Sequence, residues 1–238
     1  MFNNQQLTNM KLSTKLLLGL SGILLVMMLI SAFSVKSEYQ KINQNDPYWD
    51  FEKISQKSFK HLRVIGQKDA TGKVNIIENK DFAVNVSKKW TDDIKVSFEG
   101  DTLVVRFLLN PAKKRIEEYP IYENIVTILC PDLSSIKGEL TNIKIDSLNQ
   151  DKLKIEANKI TSIDIRKLNS QHLSISLDAN SNCDFRNDIL YKLENLEANV
   201  ATNAVLKMRQ VYPNNFVLNT SEKSVIEMNG MALKAIKK

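Results

Sequence analysis

Between residues 143 and 185 the chain repeats a short phrase every ten residues: Ile143-Lys-Ile145, Leu153-Lys-Ile155, Ile163-Asp-Ile165, Leu173-Ser-Ile175 and Cys183-Asp-Phe185. Each phrase places a polar residue between two apolar ones, which is the two-residue period of a β-strand with one buried face. A helix would return its apolar residues at intervals of three and four, and this stretch does not. The stretch therefore predicts a series of short strands.

The same alternating pattern continues to residue 228, with less even spacing. The later phrases are Leu196-Glu-Ala198, Leu206-Lys-Met208, Phe216-Val-Leu218 and Ile226-Glu-Met228. Between the phrases lie mainly Asn, Asp, Ser, Lys and Gln, polar residues that are common in turns. Evenly spaced strands with self-similar sequences indicate a repeat architecture.

A sandwich, a propeller and a solenoid all contain many short strands. Sandwich hairpins commonly use Asn-Gly or Asp-Gly turns, but the span from Ile143 to Gln210 contains neither glycine nor proline. A propeller needs blades of four strands and a longer repeat. We therefore predict an all-β fold, a right-handed parallel β-helix (a solenoid) whose coils contain about twenty residues, two phrases each.

The twenty-residue offset predicts which residues stack on one another. The two inward columns that it predicts are Ile143, Ile163 and Cys183, and Ile145, Ile165 and Phe185. A second alignment superposes Glu156-Ala-Asn158, Asp178-Ala-Asn180 and Glu197-Ala-Asn199. It predicts a tight corner at each phrase, because Asn tolerates left-handed backbone and forms local hydrogen bonds.

The same offset predicts a charge ladder on the outer face, with rungs about 4.8 Å apart. Its two columns are Lys144, Asp164 and Asp184, and Asp146, Arg166 and Arg186. We interpret the charge ladder as a surface for contact with a glycan or a protein. An alternative is a carbohydrate-active enzyme on the same fold, since Asp164 and Asp184 would lie near the carboxylate separation of retaining glycosidases.

Two features of the charge ladder favour binding over catalysis. Opposite charges alternate between neighbouring columns, as on a solvated sheet face whose charges compensate one another. Arg166 and Arg186 also favour the ionised form of both acids, whereas an acid catalyst must still hold its proton near neutrality. The sequence therefore predicts a binding, adhesion or scaffold role without catalytic residues.

The run from Leu173 to Phe185, followed by that from Leu196 to Met208, resembles the repeats of the head-GIN domain family of Bacteroidota, labelled a putative auto-transporter adhesin. Members open with a Phe-x-x-Leu-x-Val-x-Gly phrase, and Phe59-Lys-His-Leu-Arg-Val-Ile-Gly66 matches it. The resemblance covers Phe59 to Met228. It implies this fold and an extracytoplasmic location, and it brings no catalytic residues.

The N-terminal part contains an uncharged run from Leu16 to Val35. Twenty residues in a helix span about 30 Å, the thickness of the hydrocarbon core of a bilayer. We predict a transmembrane signal-anchor at residues 15–35, a cytoplasmic tail at residues 1–14, and a single pass through the inner membrane. The alternative is a signal peptide that is cleaved near Ser34, which would release the remainder to the periplasm.

The remaining chain divides into three predicted segments. Residues 36–58 form either a tether or a cap, in which Tyr48, Trp49 and Phe51 would cover the first coil. Residues 59–230 form the β-helix domain, and residues 231–238 form a polar tail. Within the domain, Glu99-Gly-Asp101 indicates a hairpin turn, and residues 110–124 form the longest loop-like piece.

Composition argues against several other classes of function. The net charge is +6, but the lysines are scattered and form no dense basic block, so we predict no nucleic-acid partner. His61 and His172 stand apart from any Cys or His at ligand spacing, which argues against a metal site. We predict no cofactor, since phosphate-binding glycine loops are missing. Cys130 and Cys183 are expected to be buried free thiols, with a disulfide as the alternative.

Overall fold

The computed structural model describes residues 11–40, 42–43, 46–67, 72–108, 124–186, 192–209 and 211–228. The chain divides into two compact units, Met1–Trp49 and Asp50–Lys238. The polar tail at residues 231–238 and the loop-like piece at residues 110–124, except Asn124, lie outside the described residues.

Among its described residues, the first unit contains a long helix, α1, from Leu12 to Gln40. All of its residues are exposed, and its length and composition suit a helix that crosses a membrane. The predicted N-terminal apolar helix is therefore confirmed, and it extends beyond residues 15–35 at both ends.

The second unit consists mainly of strands, and the all-β class is confirmed. Its strands are β1 Phe51–Ser55, β2 His61–Ile65, β3 Lys73–Glu78, β4 Ala83–Ser87, β5 Ile94–Glu99, β6 Thr102–Phe107, β7 Val126–Cys130, β8 Ser135–Glu139, β9 Asn142–Asn158, β10 Ser162–Ile165, β11 Leu168–Leu177, β12 Asn182–Phe185, β13 Lys192–Val200, β14 Val205–Met208, β15 Asn215–Thr220 and β16 Val225–Met228. A 3-10 helix, Lys88–Asp93, precedes β5. β1 lies within the segment that we predicted as a tether or cap.

The sixteen strands of the described residues form one mixed sheet with two arms that share β9. Arm A has the order β1-β4-β7-β3-β9-β10-β12-β14-β16, and arm B has the order β5-β6-β2-β8-β9-β11-β13-β15. The pairs β1–β4, β4–β7 and β5–β6 are antiparallel, and the other pairs are parallel. The predicted hairpin turn after β5 is confirmed, with Gly100 at φ 64°.

Strand β9 joins the two arms because it is continuous over 17 residues. Its first part pairs with β3 and β10, and its second part pairs with β8 and β11. The prediction of two separate strands here was wrong. Leu148 between the two phrases is buried, and no residue from Asn142 to Asn158 has a positive φ that would turn the chain.

The predicted twenty-residue register of arm A is confirmed. Ile163 pairs with Ile143 and Cys183, and Ile165 pairs with Ile145 and Phe185. These six positions are also the predicted inward columns, and each side chain is at most 1% exposed. They belong to a single hydrophobic core that also contains inward side chains of arm B.

The second predicted alignment was wrong for two of its three phrases. Ala157 pairs with Leu177, and Ala198 pairs with Ile175, so neither alanine lies at a corner. Both alanines are fully buried inside strands. Register follows the buried apolar pattern, because a one-residue slip would turn every inward side chain to the other face. Only Asp178-Ala-Asn180 forms a turn, with Asn180 at φ 60°.

The corners between arm B strands and the following arm A strands carry left-handed residues. They are Leu140, Lys159, Ile160, Asn180, Asn203 and Lys223, with φ between 51° and 64°. Asn is suited to this backbone conformation, but a β-branched residue there is an outlier. Ile160, at φ 64°, is also 66% exposed, so little burial offsets its strained backbone.

We expect Ile160→Asn to raise the free energy of unfolding by about 1 kcal/mol, because Asn relieves the left-handed strain. The reverse change at the equivalent corner, Asn180→Ile, should lower it by a similar amount. Denaturant unfolding followed by the fluorescence of buried Trp90 measures both changes. A destabilised Ile160→Asn variant would contradict the assigned corner.

Candidate functional site

The structure brings all six residues of the predicted charge ladder together on arm A. Asp164 of β10 pairs in register with Lys144 of β9 on one side and with Asp184 of β12 on the other. The main-chain N–H groups of Arg166 and Arg186 donate to the carbonyls of Ile145 and Ile165, at 2.8 and 2.9 Å. These bonds continue the register past the strand ends and set the second column beside the first.

Ion pairs connect the two columns. The Nε and Nη2 atoms of Arg186 donate to the two carboxylate oxygens of Asp164 at 2.8 and 3.1 Å. Lys144 Nζ donates to Asp146 at 2.8 Å, and Arg166 Nε lies 4.0 Å from the same carboxylate. A two-bond pairing of guanidinium and carboxylate fixes the plane as well as the position of the arginine.

The interior end of the charge ladder is the most buried. The Lys144 side chain is only 8% exposed, whereas that of Arg186 is 53% exposed. Lys73, at the start of the neighbouring strand β3, adds a further cation. Burial lowers the pKa of Lys73, and repulsion from Lys144 lowers it further.

Four residues of this surface were missed at the sequence level. Lys207 pairs with Asp184 in register, and Glu227 pairs with Lys207, so the first column continues through β14 and β16. Arg209 donates two hydrogen bonds to Glu227, which hold the pKa of that carboxyl below its usual value. Lys73 is the fourth. The Leu206-Lys-Met208 phrase could have located Lys207, but its offset of 23 from Cys183 breaks the twenty-residue spacing.

The two cysteines do not contribute reactive groups to this surface. Cys130 and Cys183 are both free and buried, so the expectation of buried free thiols is confirmed. Burial raises the pKa of Cys130 to about 12, with smaller contributions from Asp132 and Glu78. Burial likewise raises the pKa of Cys183. Both groups therefore remain thiols near neutral pH, and a thiol is a poor nucleophile and a poor metal ligand.

Within the described ranges, no group of three or more His, Cys, Asp or Glu side chains is placed to hold a metal ion. The charge ladder contains three acids, of which Asp146 and Asp164 form ion pairs with its cations. It offers two half-exposed guanidinium groups, and two hydrogen bonds to Asp164 orient that of Arg186. Guanidinium donors suit the carboxylates, phosphates or carbonyl groups of a partner.

Several solved structures resemble the chain. A putative adhesin from Bacteroides fragilis shares 16% identity, with 75% of this chain and 96% of that chain covered, at a TM-score of 0.41. A putative adhesin from Parabacteroides merdae shares 13% identity, with 75% and 95% covered, at a TM-score of 0.33. A putative lipid binding protein from Parabacteroides distasonis shares 10% identity, with 76% and 94% covered, at a TM-score of 0.37.

No curated protein matches the chain in sequence. A family of protein domains does match it, over residues 59–211, and the match begins at the same phenylalanine as the phrase Phe59–Gly66. The matched residues make up more than half of the chain and include β2 to β14. The chain belongs to the family described as "Putative auto-transporter adhesin, head GIN domain".

Proposed function

We propose that this chain is a membrane-anchored binding or adhesion protein of the cell envelope, with its strand unit outside the cytoplasm and without catalytic activity. We further propose that the strand unit, about residues 59–230, is a right-handed parallel β-helix. The parallel registers of arms A and B support this architecture, because offsets of 20 or 23 residues recur from β9 to β16 in arm A and from β9 to β15 in arm B.

The proposed anchor is helix α1, with the uncharged run Leu16–Val35 in the bilayer. Lys11 and Lys15 lie at its N-terminal end, and positive residues favour the cytoplasmic side of a membrane helix. We expect the full-length chain to stay in the membrane pellet after washing with alkaline carbonate. Recovery of a soluble chain that begins near Val35 would instead identify the run as a cleaved signal peptide.

The observation that carries the binding proposal is the orientation of the ladder arginines. Arg166 and Arg186 are each about half exposed. Arg186 donates two hydrogen bonds to Asp164 of the neighbouring column, and Arg166 Nε lies 4.0 Å from Asp146 of its own column. Side chains that are ordered before binding lose little conformational entropy when a partner arrives. We propose that the charge ladder contacts an acceptor-rich envelope molecule, either a glycan or a protein.

The enzyme alternative has less support. Both carboxylate oxygens of Asp164 accept hydrogen bonds from Arg186, so this acid is occupied by a structural partner. A catalytic acid near neutrality needs surroundings that favour its protonated form. We expect no release of reducing ends from neutral or acidic polysaccharides, and turnover that is lost in Asp164→Asn/Asp184→Asn would contradict the proposal.

The test of the binding proposal measures how tightly the full chain, held in lipid nanodiscs, binds envelope fragments of Bacteroidota. We expect Arg166→Gln/Arg186→Gln to weaken binding about tenfold, a change of about 1.4 kcal/mol. Arg63→Gln is the matched control, because Arg63 also forms an ion pair, with Glu139, but lies on arm B. Equal binding by the wild type and the ladder variant would exclude the charge ladder as the contact surface.

A further inference from the structure

Arm B carries a cleft of about 450 Å³, here called the corner cleft, to which no residue of the charge ladder contributes. Four successive passes of the chain line it, namely β9, β11, β13 and the residues just before β15. Asn149 pairs in register with Asn169, and Gln150 pairs with Ser170, which pairs with Leu193. Four rungs at a spacing of about 4.8 Å give the cleft a length of about 14 Å.

The floor of the corner cleft is buried, and its polar groups have hydrogen-bond partners within the protein. Gln150 is buried, and its Oε1 accepts a hydrogen bond from the Leu133 N–H at 3.0 Å. Ser170 is also buried, and its hydroxyl donates to the His172 carbonyl at 3.0 Å. The floor groups therefore bond within the protein and are not the groups that would bind a ligand.

The walls of the corner cleft differ from its floor. Six polar side chains line them, and the described part of the chain offers these side chains neither a hydrogen bond nor an ion pair: Asn149, Asp151, Asn169, Gln171, Glu194 and Asn214. Tyr212, half-buried, completes the lining. The walls therefore present a set of unused donors and acceptors around one aromatic side chain.

A neighbouring groove of about 400 Å³ on the same arm shows the contrast. There, Asn195 accepts a hydrogen bond from Asn215 at 2.9 Å, and Lys154 pairs with Glu156 at 2.6 Å. Polar groups of that groove therefore already form hydrogen bonds and ion pairs within the protein. The polar wall groups of the corner cleft, in contrast, are available to bind a ligand.

The chemistry of the corner cleft selects the class of ligand. Amides donate and accept hydrogen bonds, carboxylates accept them, and a tyrosine ring offers an apolar face with a hydroxyl at its edge. A sugar ring matches this set, because its hydroxyls both donate and accept and its C–H face is apolar. No Lys, Arg or His is among the described lining residues, so Asp151 and Glu194 would repel an anionic ligand.

We propose that the corner cleft binds a neutral, hydroxyl-rich oligosaccharide. The proposal goes beyond binding through the charge ladder, since the two surfaces share no residue. It adds a second contact of a different chemical class. Its ligand is an uncharged sugar, whereas the ladder arginines suit an acceptor-rich, anionic group.

The test uses the full chain in lipid nanodiscs and titration calorimetry with maltohexaose, cellohexaose, mannohexaose and the tetramer of N-acetylglucosamine. We expect at least one of these neutral probes to bind. Gln171→Ala/Glu194→Ala should weaken that binding about tenfold, because both side chains are exposed wall groups. Trigalacturonate, an anionic probe, should bind more weakly than the neutral ones.

The control is the ladder variant Arg166→Gln/Arg186→Gln, which should bind the neutral probe as the wild type does. This control separates the two proposals, because loss of adhesion to envelope fragments and loss of saccharide binding are measured in different variants. The proposal is overturned if none of the four neutral probes binds, if binding survives in Gln171→Ala/Glu194→Ala, or if trigalacturonate binds as tightly.

Discussion

Truncation of Phe185 to alanine is expected to lower the free energy of unfolding by about 3–5 kcal/mol, the cost of an emptied core site. Phe185 is fully buried, and its backbone pairs in register with that of Ile165. Hydrogen bonds between β10 and β12 hold the two strands at a fixed spacing. The side chains around residue 185 therefore cannot move closer to one another to fill the cavity. The lost apolar contact and the remaining cavity both contribute to the cost.

The matched control for Phe185 is the adjacent outward residue. Asp184 lies on the same strand and is half-buried on the charge ladder, and we expect Asp184→Ala to cost well under 1 kcal/mol. Denaturant unfolding of the two variants in parallel measures the difference. Similar losses in both variants would mean that the inward and outward assignments of β12 are wrong.

The register of arm A could be predicted from the sequence because its phrases repeat at a constant interval. Ile143, Ile163 and Cys183 occupy the same place in successive phrases and are all buried. In a parallel sheet built from sequence repeats, each residue pairs with the residue one repeat later in the chain. The repeat length alone therefore defines the partners. The charge ladder follows from the same offset, which is why its six residues were placed correctly beside one another.

Strand β8 shows why other parts could not be predicted. It has one large inward residue, Ile136, followed by the inward Gly138. A Cβ atom on Gly138 would lie 2.7 Å from Thr161 Cγ2 and 3.0 Å from Ile143 Cδ1. The apolar signal of β8 is weak because the side chains of Thr161 and Ile143 fill the space that a larger side chain would need. Tertiary packing of this kind leaves no local pattern in the sequence.

The corner cleft was missed for a different reason. Its wall residues, such as Asn149, Gln171 and Asn214, are the same polar types that the sequence uses for turns. No motif spacing distinguishes them from other polar residues on the surface. They become a candidate site only when the register of β9, β11 and β13 places them side by side, with no side-chain partner among the described residues.

A methyl group at Gly72 is expected to destabilise the strand unit by about 3 kcal/mol, at the upper end of the range for overpacking. Gly72 is buried beside the ring of Phe107, itself fully buried in the core. A Cβ atom at residue 72 would overlap that ring, with Cζ at 2.6 Å and Cδ1 at 2.7 Å. The Gly72 carbonyl also accepts the Asn142 N–H at 3.2 Å, so movement of the backbone away from the ring would strain the start of β9.

The cause of this destabilisation can be isolated with a double-mutant cycle. Phe107→Leu alone should destabilise by creating a cavity, but it also removes the ring atoms that a methyl group would meet. We therefore expect Gly72→Ala to cost at least about 1 kcal/mol less in the Phe107→Leu background than in the wild type. Additive effects of the two substitutions, measured by denaturant unfolding, would show that Gly72 is required for a reason other than its contact with Phe107.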